Sequence, residues 1–355
     1  MKFKKIICMC LSGVGDALTF SPFIETLKAA YPEISIDVLV MFRASKSIYE
    51  KHPAVNEVFF SDFVNQSAIK SFSDVMKLRK KKYDANVIAL PANRWEYNII
   101  QMMIGGRRIG HQYLHYNKIN LNFLKQDWLM ENENIHVVEN NLKLLKFFDV
   151  DYPENPPALS MRLSEEDDEA AGLWLGKNNL KNKLKIGFHP GSALFKNHIN
   201  KRWNKNKFVQ LAKALVEKLN AAVLIFGGPE EQELKNEICG LADDRENIIS
   251  VDDTSLRESA AIIRQCDAMV TNDSALMHIA AAVQTPVVAV FAYTNPNVLF
   301  PWKVKHKIIR KKLPCSPCFY YSPKPVKCYT NKNYECINSI TVDEVFEAVK
   351  EILEM

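Results

Sequence analysis

Four short stretches of the sequence gather small and polar residues in patterns suited to anionic or hydroxylated ligands. The first is Ser12-Gly13-Val14-Gly15-Asp16. Glycines let the backbone turn tightly and let a ligand come close to it. The third glycine of the dinucleotide fingerprint is missing, because Ala17 and Leu18 follow. Asp16 reads either as a helix N-cap or as a carboxylate that takes a proton from a hydroxyl, and the junction alone favours the cap. The second stretch is His189-Pro190-Gly191-Ser192, followed by Lys201-Arg202-Trp203. Gly-Ser can offer N–H groups and a hydroxyl to an anion. Lys201 or Arg202 would neutralise a diphosphate, unless this is only a basic loop.

The third stretch is Gly227-Gly228-Pro229-Glu230-Glu231. Its carboxylates suit the first turn of a helix, and they also suit ribose hydroxyls. The fourth is Thr271-Asn272-Asp273-Ser274-Ala275, with His278 one turn on. Free N–H groups at the helix opened by Ser274 and Ala275 can hold phosphate. Asp273 would repel phosphate, so capping or orienting the loop is its task. His278 reads as a core histidine.

Cysteines form a separate pattern. Cys8, Cys10, Cys239 and Cys266 lie in apolar, core-like runs, while Cys315, Cys318, Cys328 and Cys336 crowd one late segment. Their spacing suggests a four-thiolate structural zinc site, although it is irregular and lacks glycine-rich knuckles. Reduced thiols in a loop are the plainer reading.

The elements that must position these residues alternate between strand and helix. KKIICMCL, ISIDVLVM, VNEVFF, YDANVIAL and RRIGH read as strands of the first half, with helices over 17–30, 45–52, 72–82, the RWEYNIIQMMIG segment and 134–148. KIGFHPG, AAVLIFGG, IISV, DAMVTND and TPVVAVFA are strands of the second half, and TVDEVFEAVKEILEM is a terminal helix. Such alternation implies parallel sheets covered on both faces. DYPENPPALSM, with three prolines, marks a boundary. The expected domains are 1–155 and 156–340, with a helix at 341–355 packing back toward the N-terminal domain. Two such domains usually hold a ligand at the carboxyl ends of their strands.

The 355 residues, 47% apolar and 25% charged, suffice for two cores. A net charge of +5 fits an anionic ligand or membrane surface and is too weak to argue for nucleic acid. The start, MKFKKIICMCL, is too short in its apolar run for a signal peptide and reads as a first strand. Lys2, Lys4 and Lys5 are expected to solvate that strand's edge. No uncharged apolar run of about 18 residues exists.

The segments GVGDALTFSPFIETLKAAYPEISIDVLV, HPGS…KRWNKNKFVQLAKAL, FGGPEEQEL and TNDSALMHIAAAVQTPVVAVF resemble the ordered motifs of the lipopolysaccharide heptosyltransferases, glycosyltransferase family 9. The tail PCSPCFYY…KCY…ECINSITVDEVFEAV is similar too. The likeness spans nearly the whole chain. It implies an α/β, GT-B architecture of two facing Rossmann-like domains with parallel sheets, acceptor on the first and donor on the second. It implies an inverting, metal-independent transfer of heptose or a related sugar from an ADP-sugar to a lipopolysaccharide-core or other glycan or glycolipid acceptor. No cofactor is then required beyond the structural zinc considered above.

Carried onto this chain, the resemblance reverses the reading of Asp16, which matches the catalytic base. Ser192 and Lys201 match residues that hold the donor diphosphate, and Glu230 or Glu231 the ribose-binding acid. Asp273, Ser274 and His278 match the donor signature. Ala275 stands where the family usually has glycine, which narrows the room beside the donor. Ser12 and Gly15 fall beside the acceptor, as do Arg107 and Arg108, in a basic strand suited to acceptor phosphate. An amphiphilic acceptor implies a cytoplasmic protein with peripheral association at the inner membrane, and no nucleic-acid partner. A sugar-nucleotide epimerase of the same architecture, a nicotinamide oxidoreductase and a non-catalytic nucleotide-sugar-binding protein are the rival readings.

Overall fold

The computed structural model describes residues 3–321, 324–330 and 332–355. Lys2 therefore lies outside the described residues. The chain divides into two compact units, Met1–Arg162 with Tyr320–Pro323, and Leu163–Phe319 with Lys324–Met355.

In the first unit, β1 (Lys5–Cys10), β2 (Ser35–Val40), β3 (Glu57–Phe60), β4 (Ala85–Ile88), β5 (Arg107–Gln112) and β6 (Asp127–Met130) form one sheet. The order is β3-β2-β1-β4-β5-β6, and every neighbouring pair is parallel. In the second unit, β7 (Leu184–His189), β8 (Ala221–Ile225), β9 (Ile248–Ser250), β10 (Ala268–Asn272), β11 (Val287–Val290) and β12 (His306–Ile309) do the same in the order β12-β11-β10-β7-β8-β9. The apolar runs of β1 and β8, and of β2 apart from Asp37, are buried on both faces, as helix-covered parallel strands require. β1 is an inner strand, so Lys4 and Lys5 sit at its open end, where both N–H groups donate to Asp84. Strand order reverses between β1 and β4 and again between β7 and β10. Ligands of such sheets bind beyond the carboxyl ends at that reversal.

Three expectations change. The proline-rich stretch is no free linker: Leu159 and Met161 are buried and the Ser160 N–H donates to Ser21 Oγ at 2.9 Å. The first unit therefore runs on to Arg162. The terminal helix Val342–Leu353, expected to pack toward the N-terminal domain, is part of the second unit. Its apolar stripe, Val345, Phe346, Val349 and Ile352, belongs to the second unit's core with Phe208, Leu211 and Leu215. The helix expected over 134–148 is a short helix, Val137–Leu142, followed by a tighter 3₁₀ turn, Lys143–Phe148. No helix among the described residues is long and apolar enough to cross a membrane.

Candidate active site

The first unit's turn follows β1 at the strand-order reversal. Gly13 is the N-cap of the helix Val14–Ala30, Gly15 is buried in its first turn and Asp16 is the third helical residue. Asp16 is thus not the cap itself. Its half-buried carboxylate reaches back to accept the Gly13 N–H at 2.9 Å. Ser12 Oγ donates to the carbonyl of Pro91, just beyond β4, which ties the two strand ends together. Arg107 and Arg108 are not part of this group. They open β5, level with Ala85 and Asn86 at the amino end of the sheet. Arg107 forks onto the Asp127 carboxylate, and Arg108 Nε donates to the Leu124 carbonyl at 2.8 Å. Strand direction put them at the opposite end from Ser12 and Asp16.

In the second unit, the three remaining stretches converge beyond β7, β8 and β10. Lys201, at the end of the 3₁₀ segment Phe195–Lys201, places Nζ 2.9 Å from Asp273 Oδ2. Burial would raise the Asp273 pKa, but the Lys201 ammonium holds it below the usual carboxylate range. One ammonium proton serves that bond, and an ammonium carries three. Arg202 is committed elsewhere: its guanidinium bonds Ser192 Oγ (3.2 Å), the Ser192 carbonyl (2.5 Å) and Glu231 Oε1 (3.3 Å). Ser192 Oγ in turn donates to the His198 carbonyl at 2.9 Å. The hydroxyl matched to the diphosphate thus fastens the basic turn.

His189, at the end of β7, bridges the reversal. Its Nδ1 lies 2.7 Å from Ser274 Oγ and its Nε2 lies 3.0 Å from Glu231 Oε2. Glu231 also accepts the Gly228 N–H at 3.1 Å. Burial would raise its pKa, and His189, Gly228 and Arg202 hold it below the usual range. Gly191 makes room for this carboxylate, since a Cβ there would overlap it. Glu230, one residue earlier, is exposed. Asn272 fixes the loops from both sides, accepting the Trp203 N–H at 2.9 Å and donating to Pro190 O at 2.8 Å.

Ser274 caps the helix Ala275–Ala282 without a side-chain bond to its N–H groups, because the hydroxyl faces His189 and Thr271. Ala275 is its first residue and is half-buried. His278 is buried as expected, which lowers its pKa to about 4 and keeps the ring neutral near pH 7. Its Nδ1 has no hydrogen-bond partner among the described residues. The sequence reading passed over His189 and Asn272 as organisers. Their positions at the ends of β7 and β10 were the available signal.

Cys315, Cys318, Cys328 and Cys336 line one cavity of about 130 Å³ with Tyr293 and Tyr334. All are free thiols, and among the described residues no group of three or more His, Cys, Asp or Glu side chains is arranged to hold a metal ion. The zinc cage suggested by the spacing is not supported. Hydrogen bonds from Thr330 lower the Cys328 pKa to about 7, whereas burial raises that of Cys336 to about 11.

Comparison with known proteins fixes the family. The sequence profile of glycosyltransferase family 9 (heptosyltransferase) matches residues 73–329. The chain belongs to glycosyltransferase family 9. It is 27% identical to lipopolysaccharide heptosyltransferase 2 of Escherichia coli, over 86% of this chain and 88% of that one. It is 29% identical to lipooligosaccharide heptosyltransferase 2 of Campylobacter jejuni, over 99% and 98%. Among solved structures, a family 9 glycosyltransferase from Veillonella parvula superposes with a TM-score of 0.80 at 20% identity, over 99% of this chain and 97% of that one. The E. coli ADP-heptose heptosyltransferase II gives 0.75 at 23%, over 99% and 98%. The architecture is GT-B and the protein is a glycosyltransferase, which sets aside the epimerase, oxidoreductase and binding-protein readings.

Proposed function

We propose that this family 9 enzyme transfers a heptose from an ADP-activated donor to a lipopolysaccharide-core glycolipid, by an inverting displacement that needs no divalent cation. The carrying observation is the Lys201–Asp273 pair beside the helix opened by Ser274, both beyond the strand-order reversal of the second sheet. Negative charge grows on the departing diphosphate, and preorganised donors there lower the barrier. The two spare protons of Lys201 and the open N–H groups of the helix are such donors, with Asp273 holding the ammonium in place.

Asp16 takes the acceptor hydroxyl's proton as its oxygen attacks the anomeric carbon and the bond to the diphosphate breaks. The Gly13 N–H orients its carboxylate. A single base on the acceptor side suits one displacement, which inverts the anomeric centre. Glu230 meets the ribose hydroxyls, because Glu231 is taken by His189 and Arg202. The names of the relatives support the donor and acceptor classes, and an acceptor anchored in lipid implies peripheral association with the membrane.

The test is mass spectrometry of a panel of sugar nucleotides incubated with the protein and a truncated core glycolipid, with the product's anomeric configuration read by NMR and a parallel reaction in chelator. The expected result is heptosylation from the ADP donor alone, inverted, and undiminished by chelation. Retention of configuration, or preference for another nucleotide, overturns the corresponding part.

A further inference from the structure

The neighbours of the buried His189 ring dictate where its hydrogens lie. A carboxylate only accepts, so Nε2, 3.0 Å from Glu231 Oε2, carries a hydrogen. In the neutral ring Nδ1 is then bare and must accept, and the donor facing it at 2.7 Å is the Ser274 hydroxyl. Thr271 Oγ1, 3.1 Å from the same hydroxyl, gives its own hydrogen to the Asn272 carbonyl. The Ser274 hydrogen is thus committed to His189 and is not offered to a ligand. A proton on Nδ1 reverses this bond. The imidazolium donates from both nitrogens, Ser274 Oγ accepts, and its hydrogen is released toward Thr271 or toward an anion at the start of the helix Ala275–Ala282.

The side-chain charges around the ring cancel. Arg202 is matched by Glu231 and Lys201 by Asp273. Lys235, whose stem passes Gly227 beside Glu231, is matched by Asp252. His198 and His278, lowered by burial to about 4, are neutral near pH 7, and the exposed Glu230 adds one negative charge. A sugar nucleotide's diphosphate is esterified at both ends. It brings two negative charges and no group that titrates near neutrality. A nearby anion favours the charged form of an imidazole, and His189 is the imidazole bonded directly to the hydroxyl that opens the helix.

We propose that His189 is a positioning residue for the donor: it takes a proton from solvent as the diphosphate binds, and the charged ring turns the Ser274 hydroxyl onto a phosphate oxygen. The donor class rests on the function proposed above, whereas the bond reversal rests on the geometry of the second unit. The test is calorimetric titration of the full-length protein with ADP-heptose, without acceptor, in buffers of different ionisation enthalpy from about pH 5.5 to about pH 8.5. Net proton uptake is expected, and affinity should fall as pH rises, by up to about tenfold per unit. His189→Gln, whose amide can still donate to Glu231, should take up no proton and lose the pH dependence. Ser274→Ala should bind roughly tenfold more weakly at the acid end and match wild type at the alkaline end. The wild type alone gives an independent readout. Nitrogen-15 NMR of its histidines should show one ring passing from the Nε2–H tautomer to imidazolium as ADP-heptose is added.

Binding without proton uptake, uptake that survives in His189→Gln, or a Ser274→Ala loss that is equal at every pH overturns the proposal. If another sugar nucleotide binds with this uptake and ADP-heptose does not bind, the donor assignment falls and the role of His189 stands. Uptake with ADP-heptose but no transfer to glycolipid counts against the activity alone. Failure of every sugar nucleotide to bind overturns both.

Discussion

The ammonium of Lys201 stands 2.9 Å from the buried carboxylate of Asp273, across 72 residues of sequence. A buried pair is costly to break from one side, because the remaining charge is left uncompensated. Lys201→Ala should therefore lose about 3–5 kcal/mol of stability, read as a lower urea midpoint. It should also slow transfer by roughly 10²–10³, measured at saturating donor on the fraction still folded.

Asp16→Asn separates fold from chemistry. The amide oxygen can still accept the Gly13 N–H, so the helix start survives and the melting temperature should move little. An amide cannot take the hydroxyl proton, and kcat should fall by about 10²–10⁴. Donor binding, followed by calorimetry, should be unaffected. Transfer at the wild-type rate would remove Asp16 from the mechanism.

The two neighbouring acids should part company. Glu231→Gln loosens a buried network and should cost about 1–3 kcal/mol. Gly191→Ala should resemble it, because the added methyl drives the carboxylate away from His189 and Arg202. Glu230→Gln should leave the unfolding midpoint alone and raise KM for the donor. The reverse pattern would exchange their roles.

Acid should weaken the second unit through His278. Its folded pKa of about 4 lies below the ordinary 6.5, so between those values the unfolded chain binds more protons. Stability is full above about pH 6.5, falls as pH drops toward 4 and levels off below, a loss of roughly 3 kcal/mol. Urea titrations at several pH values should show a shallower dependence for His278→Gln than for wild type. The residual slope has His111 and His198 as further sources, lowered by burial to about 3 and about 4.

Long apolar runs such as IICMC and VVAVF announced inner strands, because burial on both faces leaves little choice of residue. β6 and β12 went unread. DWLM and HKII are four-residue strands at sheet edges, where one side is open and polar residues are tolerated. The strand ends that gather the candidate site were legible for the same reason as the inner strands. The assignment of partners within them was not. Whether Lys201 or Arg202 stays available, and whether Glu230 or Glu231 is taken, depends on bonds spanning 29 to 85 residues, which local spacing cannot encode. That Arg107 and Arg108 lie at the amino end of β5, away from Ser12 and Asp16, was not legible, because a basic pair reads alike at either end of a strand.

Tyr320 and Tyr321 come late in the chain yet belong to the first unit. Tyr320 stacks on His115, Tyr321 meets Tyr113 edge-on, and the Tyr321 carbonyl accepts from Asn93. Modular recombination must respect that return. A chimera spliced once near Arg162 would give the amino-terminal module another protein's tyrosines, so that module can be exchanged cleanly only by moving both pieces together.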